Sequence, residues 1–195
     1  MGNHQNDVRQ HILDTGKAII LGKGFTAVGL AELLTTAKVP KGSFYYYFSS
    51  KDQFGEALLE SYFTAYLKAL DALFLDDGSP AGERLMRYWR RWLDIQKQGP
   101  CQEQCLVVKL GAEVSDLSEP MRTALHRGTD GVIGRLAACV AEGVADGSLP
   151  ALDPAPTAQA LYQLWLGASL LTKVRRDPGA LTLALATTEA ILGIK

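Results

Sequence analysis

The sequence predicts an all-α protein. Apolar residues recur at helical spacing along the chain, no stretch alternates with the period of two of a half-buried strand, and Gly-, Pro- and Asp-rich breaks separate the periodic segments. A chain of 195 residues, 47% hydrophobic and 21% charged, has the composition of an ordinary globular protein and room for a small domain joined to a larger one.

The elements follow in order. Val8, Ile12, Thr15, Ile19 and Ile20 form the stripe of a first helix, which the glycines at 22 and 24 end. Leu30, Leu33, Leu34 and Ala37 lie at i, i+3, i+4 and i+7, giving a second, short helix closed by Lys38-Val39-Pro40. A third begins at Pro40 or Lys41, and a longer one runs from Lys51 through Leu73 to the loop Asp76-Asp77-Gly78-Ser79-Pro80. Beyond it we expect a Trp- and Arg-rich helix over 81–97, a Gly-Pro-Cys break at 99–101, a short helix over 104–115 and a long one over 119–146. Residues 147–156 read as a loop. Thr157 to Arg175 is apolar on nearly every face, which predicts burial on both sides. Asp177-Pro178 then reads as an N-cap and a first-turn proline for a last helix carrying Leu181, Leu185, Thr188, Ile191 and Leu192. The two closing helices can pack as a core pair within one chain or offer an apolar face to a second copy. We expect a homodimer through residues 157–194.

Net charge is −1 over the whole chain, but residues 1–52 hold six Lys or Arg against four acids, and the remainder 14 against 17. The N-terminal side is therefore the basic one, by a margin too small to identify a nucleic-acid surface alone. The local geometry adds to it. Between Gly24 and Phe54 lie a short amphipathic helix, a tight turn with Pro40 and a second short helix, the arrangement of a helix-turn-helix. The N-terminal part of such a second helix enters the major groove. Lys41, Gly42 and Ser43 occupy that place, Lys41 and Lys51 can neutralise phosphates, and the hydroxyls of Tyr45, Tyr46 and Tyr47 can reach a backbone. Phe44 and Phe48, at i and i+4, read as core.

Gly24-Phe25, Pro40-Lys41-Gly42-Ser43-Phe44-Tyr45-Tyr46-Tyr47-Phe48 and Ser50-Lys51-Asp52 together resemble the signature of the TetR family of bacterial repressors. The resemblance implies a homodimer on a palindromic operator, released by a ligand or chemical signal. It implies DNA contacts at Lys41, Gly42, Ser43, Tyr45, Tyr46, Tyr47 and Lys51, in a helix-turn-helix domain over residues 1–50. Residues 51–195 would form a helical effector-sensing and dimerisation domain. Gly29 departs from the pattern, since the family usually has Ser or Thr there to cap the second helix and touch a phosphate.

Cys105 to Val114, Asp116 to Arg122 and Leu164 to Leu170 with Lys173 are similar to the subgroup of that family that represses N-ethylmaleimide reductase and senses electrophiles and hypochlorite. The resemblance implies a reactive switch at Cys105 and its oxidation partner at Lys173. A thiol near a helix start meets the positive end of the dipole, and Lys109 lies one turn on, so both favour the thiolate. Glu103 opposes them, and the Leu106-Val107-Val108 run fits an inert, buried thiol equally. Oxidised Cys105 could pair with Cys101 or bond to the Lys173 nitrogen, and residues alone do not choose. Lys173 also reads as a stem lifting its ammonium to solvent beside Arg175 and Arg176. In a second version, a small apolar effector sits reversibly among the helices of residues 80–175 and Cys105 only lines the site.

Other classes are excluded by what the sequence lacks at recognisable spacing. There is no nucleophile with a base and no phosphate-cradling Gly loop, so we expect neither an enzyme nor a cofactor. Cys101 and Cys105 without a nearby His do not complete a tetrahedral metal site. A purely structural helical adaptor would leave Lys41, Ser43 and the tyrosines unexplained. The longest nearly apolar run, Leu164 to Leu171, is far shorter than the roughly 20 residues of a membrane span. The N-terminus lacks a signal-peptide pattern, and three cysteines cannot all pair, which predicts a cytoplasmic protein with reduced thiols.

Overall fold

The structure is a computed structural model that describes residues 2–98 and 105–194. Among the described residues there are nine α-helices and no strand: α1 (Gly2–Lys23), α2 (Leu30–Ala37), α3 (Lys41–Tyr47), α4 (Lys51–Leu73), α5 (Ala81–Gln98), α6 (Leu106–Ser115), α7 (Glu119–Ala145), α8 (Pro154–Arg175) and α9 (Gly179–Leu192). The order is that expected from the apolar periodicity. The break expected at 99–101, Cys101 and Glu103 lie outside the described residues.

Three boundaries differ from expectation, each for a local reason. Helix α8 starts at Pro154, inside the segment read as a loop, because Asp153 serves as its N-cap with an extended backbone and its carbonyl accepts the Thr157 N–H at 3.1 Å. Pro154 and Pro156 then occupy the first turn, where no N–H is needed. In α9 the cap is Pro178 rather than Asp177, since the Pro178 carbonyl accepts the Thr182 N–H at 3.0 Å. Asp177 helps from outside, its Oδ1 accepting the Gly179 N–H at 2.8 Å. Helix α6 begins at Leu106, with Cys105 as its N-cap.

The chain divides into two compact units, Met1–Ala65 with Pro100–Gly128, and Tyr66–Gly99 with Thr129–Lys195. The cut falls inside α4 and inside α7. In the first unit Ile12, Leu13, Ile20, Leu21, Leu33, Phe44, Phe48, Phe54 and Leu59 are fully buried, together with Leu106, Leu110 and Val114 of α6. Gly16 of α1 permits a close approach to α4, for a Cβ there would run into the Phe54 ring.

In the second unit α8 packs on α9 and α9 on α5. Trp89 and Trp165 stack at 5.1 Å between ring centroids, and Trp92 lies within 6.1 Å of both. Two indoles are anchored, Trp92 Nε1 donating to Ser169 Oγ at 3.0 Å and Trp165 Nε1 to Thr188 Oγ1 at 2.9 Å. Helix α8 is not buried on both sides within one chain. Ala158, Leu161, Tyr162, Trp165, Ala168 and Ser169 are buried, whereas Leu170 is 51%, Leu171 43% and Val174 71% exposed. Leu183, 68% exposed, and Ile191 stand out from α9 in the same way. No helix of the described residues is long and apolar enough to cross a membrane.

Candidate functional site

The turn between α2 and α3 is built by Lys38, whose backbone is left-handed (φ 54°) and closes α2. The Val39 N–H donates to the Leu34 carbonyl at 3.1 Å and the Lys38 N–H to that of Thr35 at 3.2 Å, a Schellman-type cap with lysine in the place glycine usually takes. Pro40 then caps α3 with an extended backbone, and its carbonyl accepts the Ser43 N–H at 2.9 Å. At Gly29, the N-cap of α2, no side chain caps the helix and a Cβ would meet nothing within 4 Å.

Seven residues of α3 divide sharply. Phe44 is buried with Phe48 and Phe54, their centroids 5.2 to 5.7 Å apart, and this aromatic triad fixes how α3 sits in its unit. Lys41, Gly42, Tyr45 and Tyr46 are exposed, with Tyr45 at 47% and Tyr46 at 68%, while Ser43 and Tyr47 are half-buried. The Lys41 ammonium lies 5.7 Å above the Tyr45 ring, and Tyr46 meets Tyr47 edge-on at 4.9 Å. Large, exposed, hydroxylated rings interleaved with a lysine form a surface suited to phosphate and base-edge contacts. Lys51 is placed differently from the other candidates. Its ammonium donates to the Phe25 carbonyl at 2.8 Å and lies 4.6 Å over that ring, tying the start of α4 to the α1–α2 turn.

Cys105 caps α6 in the first unit, while Lys173 stands exposed in the last turn of α8, in the second. The Tyr62 hydroxyl donates to Cys105 Sγ at 3.9 Å, and the Lys17 ammonium lies 5.5 Å over the Tyr62 ring. Although Cys105 is only half-buried as a residue, desolvation of its thiol raises the pKa above its ordinary value, against the pull of the Val108 and Val107 N–H groups and Tyr62. The helix start therefore acts in the expected direction and burial outweighs it. The Lys109 ammonium is turned to the α1–α2 turn, donating to the Gly22 carbonyl at 3.2 Å. Cys139 is core, as expected. Its thiol donates to the Ala81 carbonyl, and burial pushes it up to about 12.

The family model for bacterial regulatory proteins of the TetR family matches residues 12–58, and that for the tetracyclin repressor-like C-terminal domain matches residues 81–188. The chain belongs to the TetR family. It is 43% identical over 194 residues to the HTH-type transcriptional repressor NemR of Escherichia coli strain K12, covering 98% of each chain. It is 36% identical to the transcriptional regulator AcuR of Cereibacter sphaeroides, covering 88% of this chain and 79% of that one. The crystal structure of reduced E. coli NemR matches with a TM-score of 0.90 at 44% identity, over 95% of this chain and 97% of that one. This TetR-type chain is a DNA-binding transcriptional repressor, not an enzyme, and TetR-family repressors bind operators as dimers.

Sequence reasoning gave Glu113 of this TetR chain no role. Its carboxylate accepts the Phe25 N–H at 3.2 Å and the Thr26 N–H at 2.6 Å, in the turn leading into the helix-turn-helix. Burial raises its pKa, but Thr26 and Phe25, aided by Lys109, hold the carboxyl below its usual range, so it is ionised at neutral pH. The sequence signal is an i, i+4 Lys-Glu pair, which reads as a solvated helix surface. Partners nearly 90 positions away carry no local trace.

Proposed function

We propose that this repressor grips a palindromic operator as a homodimer and lets go when an electrophile or oxidant modifies Cys105. The observation that carries it is the position of the thiol, on the N-cap residue of α6 and in the same compact unit as α2 and α3. Covalent change there acts on the unit that carries the DNA surface. The likeness to NemR, a structure of which is described as a reduced form, supports a redox-linked reading. Lys41, Gly42, Ser43, Tyr45, Tyr46 and Tyr47 make the DNA contacts. Lys51 orders the turn before them and reaches a phosphate only by leaving the Phe25 carbonyl.

The dimer forms through 157–194, where exposed Leu170, Leu171, Val174 and Leu183 form an apolar surface that a second copy covers. Such a regulator works in the cytoplasm, beside the DNA. After oxidation the sulfur bonds to Cys101 or to the Lys173 nitrogen, and intact and peptide masses tell a disulfide, a sulfur–nitrogen cross-link and a simple adduct apart.

A reversible effector is the second reading, and one observation favours it: the raised pKa keeps Cys105 a neutral thiol at rest. The deciding experiment measures operator release from wild type and Cys105→Ser with N-ethylmaleimide and with hypochlorite, using the promoter upstream of the repressor's own gene. Release of wild type alone is expected. Equal release of both proteins overturns the thiol switch and leaves the reversible site.

A further inference from the structure

Helix α6 holds the turn between α1 and α2 from two points one helical turn apart. Lys109 and Glu113 share a face, at i and i+4, while Leu106, Leu110 and Val114 are buried in the core of the first unit. The Lys109 ammonium donates to the Gly22 carbonyl, near the end of α1, and the Glu113 carboxylate accepts the N–H groups of Phe25 and Thr26. The two ends therefore match in polarity: cation on carbonyl, anion on amides. Gly24 sits between them with φ +95°, and a Cβ there would come 3.0 Å from Glu113 Oε2. This turn is also where Lys51 of α4 reaches the Phe25 carbonyl. One residue, Phe25, is thus held by α6 through its N–H and by α4 through its carbonyl, four positions before the N-cap of α2.

We propose that Glu113 is a positioning residue for operator binding, setting the placement of α2 and α3 through the Phe25–Thr26 amides and passing on to them any displacement of α6 that begins at Cys105. The positioning half stands on the repressor activity alone, and the transmission half rests on the thiol-switch reading. A carboxylate bound to two backbone amides is rigid and directional, so a shift of α6 along its axis cannot leave the turn unmoved. Alkylation supplies such a shift. The Cys105 sulfur adds across the maleimide double bond, its proton ending on the neighbouring carbon, and the added ring must fit where the half-buried cap residue now lies.

The test uses the full-length protein and its own promoter duplex, with operator affinity measured well below each variant's melting temperature. Glu113→Ala should weaken binding about tenfold or more, and Glu113→Gln, which keeps one acceptor oxygen, should fall between it and wild type. Lys109→Met tests the other end of the hold and should weaken binding less. Glu60→Ala is the control, since it also removes an ion-paired carboxylate from the first unit, that with Arg127, and should leave affinity unchanged. An affinity of Glu113→Ala within about twofold of wild type overturns the positioning role, whatever its melting temperature does. For transmission, the ratio of affinities before and after alkylation should shrink in Glu113→Ala relative to wild type. An undiminished ratio overturns transmission. A wild type insensitive to alkylation, with a weakened Glu113→Ala, overturns the thiol reading and leaves positioning standing. If Glu113→Ala does not fold, Glu113→Gln carries the same comparisons.

Discussion

Two exposed faces of this molecule have opposite chemistry. On α3 the large side chains turned to solvent are Tyr45 and Tyr46, beside Lys41, each ring ending in a hydroxyl. On α8 and α9 the exposed large apolar side chains are Leu170, Leu171, Val174, Leu183 and Ile191, which carry no polar atom. The two faces ask for different partners. A hydroxylated, cationic surface suits a hydrated polyanion, whereas an aliphatic one gains only by removing water from a matching apolar surface. The difference also explains why neither face collapses into its own core, since each is the reverse side of a helix whose inner residues are already buried.

The largest expected effect comes from breaking the aliphatic face. Leu171→Glu with Leu183→Glu should place charges in the proposed dimer contact at a cost of several kcal/mol, giving a monomer by light scattering and operator binding weakened more than about a hundredfold. A dimer that survives would move the interface elsewhere. On the other face Lys41→Ala and Tyr46→Ala should each weaken operator binding by about 1–3 kcal/mol while leaving the dimer intact. Lys41→Ala should also flatten the dependence of log affinity on log salt by about one unit, and an unchanged slope would show that Lys41 meets no phosphate.

The thiols of Cys105 and Cys139 sharpen the comparison between the units. Burial raises both, so the neutral form is favoured and the thiolate grows with pH. Alkylation of Cys105 should therefore keep rising as the pH goes from about 7 to about 9, followed by mass spectrometry, while Cys139 stays unmodified until the protein unfolds. A plateau near pH 7 would mean that the helix start, not burial, governs Cys105. The smallest effect is at Gly29. Serine has room there, and Gly29→Ser should cap α2, raising the melting temperature by about 1–2 °C in calorimetry.

Much of this was legible in the sequence because it rests on local spacing. Leu30, Leu33, Leu34 and Ala37 mark α2, Pro40 caps α3, and Phe44 and Phe48 fall on the inner face. Tyr45 and Tyr46 are outward for the same reason. Boundaries slipped at Pro154 and Pro178, where a proline in the first turn and a proline at the cap have the same local signature. What stayed hidden is long-range. Nothing near Lys51 signals the Phe25 carbonyl, nothing near Lys109 or Glu113 signals the turn after α1, and desolvation of Cys105 depends on the packing of helices remote in the chain.

All three tryptophans, Trp89, Trp92 and Trp165, lie in the second unit, close enough to exchange excitation energy, and the first unit has none. Indole fluorescence is therefore a built-in optical label for one half of the molecule, blind to the unfolding of the half that carries the DNA surface. Melting followed at the indole band and by far-ultraviolet dichroism coincides only if the halves unfold together. Two separated transitions would instead show that a regulator can loosen its grip while its fluorescence stays that of a folded protein.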